Sequence, residues 1–68
     1  MSKKQFCDLL FEYIKDNFTE VDIDLEYMSY GFNFNRDDLV LRKEYFLIQR
    51  PGCSSFKIHY KEVKGISL

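Results

Sequence analysis

The chain has no tryptophan, one histidine, one proline, three glycines and two cysteines in 68 residues. Each shortage removes a class of protein. Small secreted domains are stapled by four or more cysteines, whereas Cys7 and Cys53 lie far apart with no CxxC spacing, so two reduced thiols in a cytoplasmic protein are expected. The glycines Gly31, Gly52 and Gly65 are isolated turn residues, and no glycine-rich loop is present to cradle a phosphate. The single His59 lies between Lys57 and Lys61 with no serine, cysteine or aspartate at a catalytic spacing, which leaves it a solvated side chain. No apolar run approaches the roughly 20 residues that span a bilayer, and Asp8 and Glu12 interrupt any signal-peptide core near the N-terminus. No membrane association is expected.

What is abundant is rings and charge. Seven Phe and five Tyr supply apolar area to a chain short enough to bury only about 60% of its unfolded surface. The net charge of −1 conceals a split. Residues 1–34 hold seven acids against three lysines, while residues 35–68 hold four acids against seven Lys or Arg. Such a division marks either a bipolar surface or two oppositely charged elements lying side by side.

At 68 residues the chain is expected to be one domain over residues 1–68, and hydrophobic periodicity predicts that it begins with a helix at residues 2–17. Ser2-Lys3-Lys4-Gln5 fits the capping-box pattern. Phe6, Leu9, Leu10, Tyr13 and Ile14 share one face, extended by Cys7, Phe11 and Phe18. That arc is wider than the stripe a surface helix needs, so the helix is either deeply clasped or keeps an apolar flank for a partner. Strands are predicted at about residues 20–28, 31–35, 39–50 and 56–63, with a change of face around Met28–Gly31 and a turn at Pro51-Gly52. The stretch 39–50 fits either a helix capped by Asn35 or a long strand with a break near Lys43-Glu44. Strand is favoured by Val40, Tyr45, Phe46 and Ile48. The residues after Val63 are read as a turn with a short terminal strand. The expected fold is α+β, one N-terminal amphipathic helix packed on a small antiparallel β-meander of three to four strands.

The stretch T-E-V-D-I-D-L-E-Y concentrates the functional question. Glu20, Asp22, Asp24 and Glu26 alternate with Val21, Ile23, Leu25 and Tyr27, so a strand here carries a comb of carboxylates on one face. Three uses are open. Neighbouring carboxylates, with the Glu62-Val63-Lys64 triplet, resemble fragments of a metal-dependent nuclease site, but the chain leaves little room for a substrate cleft. A basic comb, Lys57, His59 and Lys61, pairs with the acidic one if the two strands are neighbours. Alternatively the acids face a partner. Asp8, Glu12 and Asp16 form a second acidic row at i, i+4 and i+8 on the exposed helix face, where like charges disfavour the helix slightly and Asp16 opposes its dipole.

Two acidic rows on a small chain approach the charge density of a DNA mimic. In size and acidity the chain resembles, in type and without a shared motif, the small phage inhibitors of nucleic-acid-handling defence enzymes, among them anti-CRISPR and anti-restriction proteins. The resemblance implies a non-catalytic inhibitor or regulator. Its partner-binding residues are Asp8, Glu12, Asp16, Glu20, Asp22, Asp24 and Glu26, and its partner is a protein with a basic surface. No residue is assigned a catalytic, cofactor or metal role. One alternative is a nucleic-acid-binding regulator using Arg36, Arg42, Lys43, Arg50, Lys57, Lys61 and Lys64 with Tyr45, Phe46, Phe56 and Tyr60. Another is a homo-oligomer, such as a homodimer, with an aromatic interface.

Overall fold

The computed structural model describes residues 1–68 and contains one α-helix and six strands. The helix α1 (Lys3–Lys15) opens with the capping box: Ser2 Oγ accepts from the Gln5 amide at 3.1 Å while the Ser2 amide donates to Gln5 Oε1 at 2.9 Å. It closes with Asn17 at φ 65°, a left-handed residue that Asn tolerates better than most. The Phe18 amide reaches the Tyr13 carbonyl and the Asn17 amide the Ile14 carbonyl, the paired bonds of a Schellman stop. The accompanying apolar contact is the edge-on packing of Phe18 against Tyr13, with ring centroids 5.6 Å apart.

The strands form two three-stranded antiparallel sheets. One has the order β2-β1-β6, from β1 (Glu20–Asp24), β2 (Ser29–Asn33) and β6 (Gly65–Ser67). The other has the order β3-β4-β5, from β3 (Asp38–Leu41), β4 (Tyr45–Gln49) and β5 (Phe56–His59). The α+β class holds, but six strands in two sheets replace the expected single meander of three to four. The first strand ends at Asp24, because the Leu25 amide turns back to the Met28 carbonyl at 2.7 Å. The face change therefore falls at residues 25–28, just before the expected position. Residues 39–50 are two strands, folded into a hairpin around residues 42–44 by an Arg42 amide to Tyr45 carbonyl bond. Residues 60–62 leave the extended conformation for a 3-10 turn, which carries the chain from β5 across to the first sheet. There β6 pairs with β1, Ile66 opposite Ile23.

Both inner sheet faces and one helix face meet in a common core of Phe6, Leu10, Val21, Ile23, Phe32, Phe46, Ile48, Ile58, Tyr60 and Val63. Phe6 stacks on Phe46 at 4.4 Å, and the Tyr13 hydroxyl donates to the Ile66 carbonyl at 3.0 Å. The helix thus touches both sheets instead of lying over one. Tyr60 is buried and keeps its hydroxyl bonded to the Arg42 carbonyl at 2.7 Å, while burial raises its pKa above the ordinary tyrosine value. Cys7 packs half-buried beside this core, Cys53 is exposed, and both are free thiols. No helix is long and apolar enough to cross a membrane.

Candidate functional site

β1 is the central strand of its sheet, and alternation sends Val21 and Ile23 into the core. Glu20, Asp22 and Asp24 are consequently held on the outer face. Their cross-strand neighbours are Asn33, Gly31 and Ser29 on β2, with Ser67 and Gly65 opposite Asp22 and Asp24 on β6. None of these neighbours is cationic, and none of the three acids forms an ion pair within 4.0 Å. Gly31 provides a floor without a side chain. A Cβ there would lie 3.5 Å from Glu20 Oε1 and 3.8 Å from Asp22 Oδ1, so both carboxylates lean over it. Asp24 accepts from Ser29 Oγ at 2.7 Å, which fixes the third carboxylate by a neutral donor.

Glu26, the fourth tooth of the expected comb, is displaced into the β1–β2 turn. It lines a groove of about 390 Å³ with Leu25, Tyr27, Met28, Lys61, Glu62 and Lys64. The helix row forms a separate line on α1. Asp8 is held by Lys4 at 2.8 Å, whereas Glu12 and Asp16 are exposed without ion-pair partners. The acidic residues therefore divide into a compact sheet face of three, a groove residue and a helix row.

The basic comb lies elsewhere. β5 belongs to the other sheet and pairs only with β4, Lys57 opposite Leu47 and His59 opposite Tyr45. The expected acid-to-base pairing across one sheet does not occur, because β6 occupies the place beside β1. Lys57 instead sits 4.2 Å from the centre of the Tyr45 ring, a cation–π contact. The His59 ring faces Glu62 Oε1 at 3.1 Å, so the glutamate of the Glu62-Val63-Lys64 triplet is engaged by the histidine. No three His, Cys, Asp or Glu side chains converge in a metal-like cluster.

Much of the proposed nucleic-acid set is committed to structure. Phe46 and Tyr60 are core residues. Arg36 and Arg50 grip Asp37, whose side chain is fully buried. Arg36 Nε and Arg50 Nε donate to Oδ1 at 3.0 and 3.1 Å, and the Asn33 amide donates to Oδ2 at 3.0 Å. The Arg36 guanidinium foremost, with the Asn33 amide and Arg50, holds the Asp37 carboxyl well below the usual carboxylate range against the opposing effect of burial. Arg36 is also near enough to Glu20 to feel its charge, but its fork is spent on Asp37. Arg50 goes further: its Nη2 donates to the Gly31 carbonyl at 2.7 Å, bracing from the second sheet the strand that floors the acidic face.

Sequence reasoning missed this brace. In Asn35-Arg36-Asp37-Asp38 nothing distinguishes the buried aspartate from the exposed one. The only local signal is the Asn33 side chain accepting from the amides of Asn35 and Arg36, an Asx-type turn. Tyr27, 93% exposed at the hairpin tip, likewise lies outside the strand that alternation predicts through residue 28. Fold and site together define a small α+β protein with an unneutralised acidic sheet face. Comparison with known proteins finds no matching family model, curated protein or solved structure.

Proposed function

We propose that the chain is a non-catalytic binding protein, an inhibitor or regulator that presents its acidic face to a basic, nucleic-acid-binding surface of a partner protein. The carrying observation is strand order: Glu20, Asp22 and Asp24 project from a central strand whose flanking positions are Ser, Gly and Asn. Successive carboxylates on one strand face stand about 6.6 Å apart, and at the dielectric of water each adjacent pair repels by roughly 0.6 kcal/mol. A cationic surface relieves that repulsion and adds direct attraction, and the flat floor of Gly31 and Gly65 lets guanidinium or ammonium groups approach closely. Glu12 and Asp16 extend the negative field along the helix, steering encounter more than fixing the bound pose. Glu26 and Tyr27 sit at the hairpin end of the row, where an exposed tyrosine is a common interface anchor. On this reading the chain belongs in type with phage anti-defence inhibitors, such as anti-CRISPR proteins.

The test is quantitative capture from the native host with wild type and D22K/D24K side by side. A partner that binds wild type, weakens steeply with salt and is lost with the double variant supports the proposal. Equal capture by both proteins sinks it. Salt-sensitive oligonucleotide binding by the chain alone would move the function to the basic half.

A further inference from the structure

Helix α1 leaves an apolar shoulder uncovered. Cys7, Phe11 and Ile14 recur at i, i+4 and i+7, one stripe along the helix. Phe6 and Leu10 point into the core, but Phe11 is 61% exposed and Ile14 49%, while Cys7 on the same stripe is half-buried against the core. An exposed Tyr keeps a hydroxyl for water; Phe11 and Ile14 have no polar atom, and hydrophobic residues placed together on a helix favour being covered.

We infer that this shoulder is the interface of a symmetric dimer in which α1 of one copy packs antiparallel against α1 of a second. The charges along the outer rim of the stripe select both occupant and direction. Lys4, Asp8 and Lys15 stand on that rim, the first two joined at 2.8 Å. In a parallel pair the two outer rims lie on opposite sides of the seam, so none of these charges finds a counterpart in the second copy. In an antiparallel pair with Phe11 near the two-fold axis, positions whose numbers sum to about 22 face each other, and contacts occur twice by symmetry. Cys7 then packs on Ile14 of the second copy and Phe11 on Phe11. On the rim, Asp8 lies beside Lys15 of the second copy, flanked on its other side by its own Lys4. The stripe is thus self-complementary in one direction only.

The seam is short. A helix of 13 residues is about 20 Å long, and such a seam covers less than the roughly 800 Å² per partner of a standard interface. The dimer is therefore a weak one that forms between micromolar and millimolar concentration. It leaves the outer face of β1 free, so each dimer carries two acidic faces.

Sedimentation equilibrium from micromolar to millimolar concentration tests the inference. The mass should rise from 8.2 kDa toward twice that value. F11E should remain monomeric throughout, and Phe11→Gln serves the same purpose if F11E fails to melt cooperatively. D8K alone and K15D alone should each weaken association at least tenfold, and the combined D8K/K15D variant should return to within about threefold of wild type. A mass of 8.2 kDa at every concentration, a dimer indifferent to Phe11, or a combined variant as weak as the single ones would overturn the pairing.

Discussion

Replacing Asp37 by Asn removes the charge that two guanidiniums share while preserving shape. Breaking a buried ion pair from one side costs about 3–5 kcal/mol, chiefly because the remaining charge is stranded. Here the stranded groups retain a route to water, since the Arg36 and Arg50 side chains are 53% and 27% exposed. The expected loss is accordingly about 2–4 kcal/mol, against a total stability of roughly 3–10 kcal/mol for a chain of this length. At about 4–8 °C per kcal/mol, the melting temperature of D37N should fall by about 10–25 °C. Asp38, exposed at the start of β3, supplies the control: D38N should shift stability by less than about 0.5 kcal/mol. The pH dependence has a definite sign. The folded pKa of Asp37 is depressed, so its contribution is fully present above its unfolded value of about 4 and is lost as pH falls through the lower folded value. The wild-type stability curve should therefore drop below about pH 4, and the D37N curve should be flatter there. An Arg50→Met companion closes a double-mutant cycle. A D37N melting temperature matching that of D38N, or strict additivity of D37N and R50M, would refute the brace as described.

Three further outcomes follow from other parts of the structure. D22K/D24K should melt within a few degrees of wild type, because these positions face Gly and Ser instead of cations; a large loss would mean that the acids serve stability rather than a partner. Phe6→Ala removes a fully buried ring stacked on Phe46 and should cost about 3–5 kcal/mol, enough to unfold much of the population as seen by circular dichroism. Asn17→Ala should cost about 1 kcal/mol because its φ of 65° disfavours a Cβ without a compensating polar group, whereas Asn17→Gly should be neutral or slightly stabilising in the same denaturant titration.

The local features were legible because local chemistry fixes them. Ser2 and Gln5 announced the helix start through a reciprocal bond spanning three residues. Val21 and Ile23 announced the inner face of β1, and hence the outward direction of Glu20, Asp22 and Asp24. Strand ends were less legible. Alternation continues through Leu25, Glu26 and Tyr27, yet the chain turns at Leu25, since a tight turn needs only one amide-to-carbonyl bond and is indifferent to that pattern. The run 39–50 reads as a long strand with a break near Lys43-Glu44, and the break is a full reversal at Arg42–Glu44, which gives β4 partners on both sides. Asp37 was illegible for a different reason: its burial depends on Arg50, thirteen residues away, arriving from the other sheet.

By itself, then, the sequence determined which residues share a face: the capped helix, the apolar rows, and a row of carboxylates pointing together, from which only the turn at Leu25 removes Glu26. Side-chain periodicity dictates this within a few residues, with no knowledge of neighbours. Only the tertiary structure decided what stands beside that row. Strand partners are chosen by which pairings let all the apolar faces close on one core, a condition on the whole chain. That condition seated Gly65–Ser67 next to β1 and sent Lys57 and His59 to the second sheet. The negative and positive halves of the chain do not neutralise each other across a sheet because the terminal strand fills the position where they would have met.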